Sequence, residues 1–183
     1  NDLIPSSDVI TNGRNFETVT RNNIAGKFSG HRARPGKEFP VPGIVDHNWA
    51  GNFKGKDVRT QLRDPDNLDF RPKADSELVD AGAGVKVSEG SYKGKAVEIG
   101  PYEYGDDNYW ITGRKMERAS VAIPPDGTKT AKADADLMWL GGYKADSHNV
   151  YFGTDIKAVE SAGKRSPEFK GNQKNNIFEP GKL

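Results

Sequence analysis

The chain has 183 residues, enough for one ordinary domain or two small ones, and only 34% of them are hydrophobic while Gly (21) and Pro (11) are abundant. A helical bundle is excluded, because it would be richer in Leu and Ala and poorer in Gly, and a disordered chain would not carry three Trp, six Tyr and eight Phe. The 27 basic and 26 acidic residues nearly cancel, so no overall field invites nucleic acid or an anionic membrane, and the lack of Cys removes disulfides, thiolate metal sites and a Cys nucleophile. What stays is a loop-rich, mainly β protein.

In chain order, the first segment is "SDVITNGRNFETVTRNNIAGKF" (7–28), two or three short strands punctuated by Asn and Gly. Val9, Ile10, Phe16, Val19, Ile24 and Phe28 are its expected inward positions. Residues 29–66 read as loop, with "RPGKEFPVPG" and "NWAGNFKGKD" supplying turn after turn, and 57–68 holds one helical turn at most. "AVEIGPYEYG" (96–105) is expected as a strand, with Val97, Ile99 and Tyr102 on one side. Residues 105–120 read as a connection in which Tyr109 and Trp110 are packed. Beyond it, Leu137 and Trp139 alternate in one run and His148, Val150 and Phe152 share a face of the next, after a Pro124-Pro125-Asp126-Gly127 turn. Three parts follow: 1–104, a 105–120 linker, and 121–183. No apolar run approaches the ~18 residues of a membrane span, and the opening Asn-Asp reads as a processed product or a fragment.

The stretch "DNLDFRPKADSELVDAGAGV" (66–85) touches an apolar surface briefly, turns, and touches it again. Stacked coils with short inward strands and Asn or Gly corners behave this way, since no coil buries its face alone. "RNFETVTRNNIAGKF" resembles the coils of right-handed parallel β-helix proteins. Asp69–Pro72, Leu78–Gly82 and Ile99–Glu103 resemble the closing segment of secreted bacterial proteins of the pectate-lyase-like superfold, over about residues 7–110. The segment "PPDGTKTAKADADLMWLGGYKADSHNVYFGT" resembles the opening of fibronectin type III or immunoglobulin-like modules on extracellular carbohydrate-active enzymes, with Trp139 as the core Trp. The resemblance implies the last coils and closing segment of a β-helix, then a partial β-sandwich. It further implies a secreted, cell-surface or periplasmic location, polysaccharide as partner, and upstream β-helix coils of the same protein. The function so implied is the C-terminal part of a polysaccharide lyase or glycoside hydrolase whose groove lies mainly upstream; the alternative is a non-catalytic carbohydrate-binding or adhesion module.

Candidate site residues come from the residue types themselves. "DHNW" projects Asp46, His47, Asn48 and Trp49 from one loop. A Trp face stacks on a sugar ring while Asp46 and Asn48 bond hydroxyls, although Trp49 capping the coil core is equally a use for an indole. Asp46, His47 and Asp57 are the candidates for acid–base chemistry. "DPDNLD" places Asp64, Asp66 and Asp69 at calcium-loop-like spacing, but Asp69 stands where an EF-hand loop needs Gly, and a plain corner is the competing reading. Zinc would require His31 and His47 to meet a carboxylate. Asp80 is expected as a corner acceptor for backbone N–H groups. No organic cofactor is expected, calcium being the ion the sequence leaves open, because no dinucleotide or phosphate-loop pattern sits in a strand–helix context.

Overall fold

The computed structural model describes residues 9–10, 18–25, 28–29, 43–50, 57–84 and 92–181. The strands are β1 (Val9–Ile10), β2 (Val19–Arg21), β3 (Ile24–Ala25), β4 (Phe28–Ser29), β5 (Ile44–Asp46), β6 (Trp49–Ala50), β7 (Leu62–Asp64), β8 (Asp69–Pro72), β9 (Ser120–Ile123), β10 (Leu137–Leu140), β11 (His148–Tyr151), β12 (Phe169–Gln173) and β13 (Ile177–Phe178). Helix among the described residues is limited to α1 (Ile156–Ser161) and 3₁₀ turns at Val58–Gln61 and Pro65–Asn67, so the class is mainly β. Contacts divide the chain into two compact units. One is Asn1–Arg63 with Phe70–Gly105; the other is Asp64–Asp69 with Asp106–Leu183. Residues 106–120 thus group with the second unit, and Tyr109 among them is buried.

In the first unit six strands pair in parallel, and β7 pairs with β8. β1 pairs with β4, β2 with β5 and β3 with β6, in the registers Val19↔Ile44 and Ile24↔Trp49. Between β2 and β3, and again between β5 and β6, the chain turns at a residue with positive φ, Asn22 (57°) and His47 (48°). Asn tolerates that left-handed conformation through its short polar side chain; His does so less readily. The corners stack: Asn48 Oδ1 accepts from Asn23 N (2.9 Å) and Asn23 Nδ2 (3.1 Å), while Asn48 Nδ2 donates to Thr20 O (2.6 Å) and Asp46 O (2.8 Å). Strand alternation around this corner buries Thr20 and turns Val19 outward, 55% exposed beside the exposed Ile44. Val19 was expected to point inward; β-propensity marked the strand but not its face. Phe16 and His31 lie outside the described residues, as do the side chains of Val9, Ile10 and Phe28.

A second segment of the unit packs against β3 and β6. Trp49, Leu62, Leu78 and Ile99 form a buried cluster, with Ile24, Val58 and Ala81 packed against it. Burying each large apolar side chain contributes about 1.5–3 kcal/mol. The backbone of 78–82 and 97–100 is held by bonds to changing partners: Ile99 N to Leu78 O (3.0 Å), Gly82 N to Val97 O (2.8 Å) and Gly100 N to Asn22 O (3.1 Å). For that reason 96–105 is not the regular strand that its alternation suggests, and Glu98 is buried beside Ile99. Gly82 is required by close approach, since a Cβ there would lie 2.5 Å from Glu98 O. Asp80 serves as the corner acceptor, its Oδ1 taking Lys95 N (2.6 Å) and Ala96 N (3.0 Å).

The second unit is antiparallel. β10 lies between β13 and β9, and β11 pairs with β12. Met138 and Leu140 of β10 are buried with Ile123, Ile177 and Tyr109, whereas Leu137 and Trp139 occupy the other, half-buried face. The alternation was therefore legible, but the deeper face belongs to Met138 and Leu140. Asp155 caps α1, its Oδ1 accepting from Lys157 N (2.8 Å) and Ala158 N (3.2 Å). Residues 64–69 join this unit through Tyr109 Oη, which donates to Leu68 O (2.7 Å), and Asn67 Nδ2, which donates to Thr130 O (3.2 Å).

Asn22 offers a direct test of the first unit. Its side chain forms a two-bond ring with the Ala83 peptide, Nδ2 to Ala83 O (2.8 Å) and Ala83 N to Oδ1 (2.8 Å). Asn22→Ala loses both bonds and places a Cβ without polar support at positive φ, an expected cost of about 2–4 kcal/mol. Asn22→Gly relieves the backbone and loses only the bonds, so it should be the milder change in urea denaturation. Equal stability of Asn22→Ala and wild type would contradict the role assigned to this corner.

Candidate functional site

The corner after β5 carries the residues singled out as acid–base and sugar-binding candidates, and the structure gives each a partner. Both oxygens of Asp46 are taken by Arg21: Oδ1 accepts from Nε and Oδ2 from Nη2, each at 2.6 Å. His47 Nδ1 lies 3.3 Å from Asp46 Oδ1. The Arg21 hydrogen bonds, helped by His47 and opposed by partial desolvation, hold the Asp46 carboxyl down at about 2. A carboxylate so firmly ionised is a poor general acid and a weak base at neutral pH. Asn48 is spent on the ladder between coils. Trp49 is 7% exposed, packed in the cluster with Leu62, Leu78 and Ile99, and its Nε1 donates to Glu77 Oε2 (3.1 Å). Its ring faces are covered by protein, which is the core-capping use of the indole. Arg21 and Asp46 lie in register on the paired strands β2 and β5, so the corner is closed by an ion pair.

Asp57 is exposed and caps the 3₁₀ turn at Val58–Gln61, its Oδ1 accepting from Arg59 N (2.9 Å). The 64–69 stretch is a second 3₁₀ turn, closed by Leu68 at φ 70° and by Asn67 Nδ2 donating to Asp64 Oδ2 (2.9 Å). Asp66 is exposed and Asp69 is 7% exposed, so the three carboxylates do not share one environment. Among the described residues no group of three or more His, Asp or Glu side chains converges as a metal site would require.

Two acids passed over in the sequence do come together. Glu98 is 2% exposed. Its N donates to Glu103 Oε1 (3.3 Å), and Tyr104 N donates to Glu98 Oε1 (3.3 Å). The Oε2 atoms of both carboxyls are buried without a hydrogen-bond partner among the described residues. Burial first, then the hydrogen bond shared with Glu103 and the Glu103 charge, push the Glu98 carboxyl up to about 8. At neutral pH Glu98 keeps its proton. The signal was present in "VEIGPYEYG": two acids five residues apart beside Ile99, with no base between them.

The second unit contains two adjoining clefts of about 790 Å³ each. One is walled by Trp139, Tyr151 and Phe178, with Arg118, Ser147 and Asn149 at its polar side. The other is walled by Trp110, with Asn108, Thr112 and Lys174. They meet at Gly142, Ala145 and His148. His148 packs edge-on to the Trp139 ring, centroids 5.4 Å apart. Trp139 was expected in a core and Trp110 packed within a connection; Trp110 is instead 65% exposed, and the meeting of their two clefts required the tertiary fold.

The Glu98–Glu103 pair makes stability depend on pH with a definite sign. The folded Glu98 carboxyl titrates near 8 and the unfolded one near 4.5. Its contribution is therefore complete below 4.5 and is lost as pH rises through 8. Asp46 and Asp80, both lowered by their hydrogen-bond donors, act oppositely, contributing above the ordinary Asp range and failing as pH falls through their depressed values. Urea midpoints recorded from pH 4 to 9 should fall on the alkaline side for wild type, and Glu98→Gln should flatten that fall. A wild-type midpoint that rises from pH 5 to 8 would contradict the shared-proton pair.

Compared with protein-family models, curated proteins and solved structures, the chain has no match.

Proposed function

We propose that this chain is the closing end of a right-handed parallel β-helix in an extracellular, polysaccharide-active protein, followed by a partial fibronectin-like segment, and that it contributes coil closure and glycan contact rather than bond cleavage. The observation that carries this reading is the repeated corner. Residues 19–25 and 44–50 pair in parallel in one continuous register, with a left-handed residue and a stacked Asn at the same place in each. Coils that repeat in this way bury a core only by stacking, and the cluster around Trp49, Leu78 and Ile99 supplies a lid of irregular chain over the last of them. In that setting a lyase or hydrolase groove belongs to preceding coils. The ion pairing of Asp46 and the burial of Trp49 support a non-catalytic part for this stretch, which also suits the second reading, a carbohydrate-binding or adhesion module. Among the described residues no helix is long and apolar enough to cross a membrane.

The test is a depolymerisation assay of residues 1–183 over a polysaccharide panel that includes polygalacturonate, xylan and a β-glucan. No product is expected. Cleavage that survives Glu98→Gln and is lost in Asp46→Asn or His47→Ala would overturn the proposal and restore the β5 corner as catalytic. As a separate check of the lid, Trp49→Ala should cost about 3–5 kcal/mol of stability, and Trp49→Phe distinctly less. An unchanged midpoint for Trp49→Ala would remove Trp49 from the core.

A further inference from the structure

One side chain fixes both tryptophan-bearing segments of the second unit. Asn176 Nδ2 donates to Tyr109 O (2.8 Å) and to Trp139 O (2.8 Å), and Asn176 Oδ1 accepts from Tyr109 N (2.8 Å). Trp139 N in turn donates to Asn176 O (3.3 Å). The backbone just before Trp110 and the backbone of Trp139 are therefore held by a single amide. The two adjoining clefts are walled by these same tryptophans and share His148. Trp110 is 65% exposed. Trp139 is half-buried with its Nε1 enclosed and without a hydrogen-bond partner among the described residues, so what it offers the cleft is ring carbon.

Apolar ring surfaces beside hydroxyl and amide groups suit a ligand with apolar faces and a rim of hydroxyls, and clefts of this volume are ligand-sized. The charges lining them are Asp106 and Glu117 against Lys115, Arg118 and Lys174. Such a nearly balanced set creates no strong field for a polyanion. Two clefts that meet at His148 suit a chain of several sugar units better than one.

We infer that the groove running from Trp110 past His148 to Trp139 is a binding site for a neutral oligosaccharide, with Trp110 and Trp139 as its two ring platforms and Asn176 as the residue that positions them. This rests on the glycan-contact reading above and adds to it the place and the ligand class.

The experiment titrates the full chain with xylohexaose, cellohexaose and hexagalacturonate, followed by calorimetry and tryptophan emission. At least one neutral hexaose should bind and shift the emission. Trp110→Ala, at an exposed position, and Trp139→Phe, which keeps a ring, should each weaken that binding about tenfold or more. Tyr92→Ala, in the first unit and half exposed, should leave it unchanged. Asn176→Asp keeps the acceptor and loses both donor bonds, and should weaken binding in parallel with a change in near-ultraviolet circular dichroism. Wild type that binds none of the three would overturn the glycan reading and this site with it. Wild type that binds while Trp110→Ala and Trp139→Phe bind equally well would overturn the site alone. Preference for hexagalacturonate would overturn the neutral class.

Discussion

The first unit depends on how many distant segments meet at Asn22. Its N donates to His47 O, its O accepts from Gly100 N, and its side-chain amide satisfies both polar groups of the Ala83 peptide. Three pieces of chain, separated by 25 to 78 residues of sequence, thus meet at one corner. Such a corner cannot be treated as one bond among many, because its left-handed backbone sets the direction in which each of these groups points. The parallel ladder sets the coil, and the corner sets where the covering segment begins. The apolar cluster around Trp49 follows from both, since Ile99 is carried in beside Gly100.

The acids of this unit show how environment, not residue type, decides what a carboxyl does. Asp46 has a guanidinium on both oxygens and stays ionised far into acid. Asp80 is lowered chiefly by the backbone N–H groups of Ala96 and Lys95, with the Lys95 charge as a smaller aid. Glu98 has neither in sufficient measure, only Tyr104 N and another acid, and so retains a proton. The buried pair is a cost carried inside the covering segment, offset by the packing of Ile99 and Leu78 on either side. Together the three give the fold opposite sensitivities at its acidic and alkaline limits.

Much of the β character was readable from the chain because it is written in local chemistry. Asn-Asn at 22–23 and the Asn48 corner mark turns, and the single Val and Ile residues between them mark short strands. The faces were not readable. Val19 and Trp139 are stronger apolar signals than Thr20 and Met138, yet Thr20 and Met138 are the more buried, because which face of a short strand turns inward is set by neighbours remote in sequence. The proposed site divided in the same way. Asp46, His47, Asn48 and Trp49 adjoin in sequence and were easily grouped, but folding sends them to an ion pair, a ladder and a core. The backbone of Tyr109, next to Trp110, and that of Trp139 are tied by Asn176, and nothing local in "NNIFEPG" announces that role.

The six residues 64–69 belong by contact to the unit that otherwise begins at Asp106. Tyr109 and Thr130 take their partners from Leu68 and Asn67 of that short excursion. Genetic exchange that moved 106–183 as a cassette would leave Tyr109 Oη, 3% exposed as a residue, without the carbonyl it needs. The second unit is thereby discontinuous in sequence, its 64–69 turn having to be inherited with 106–183. A host that acquired 106–183 alone by recombination would have to acquire the 64–69 turn as well, or replace it, and lineages in which Tyr109 is Phe would be free of that need.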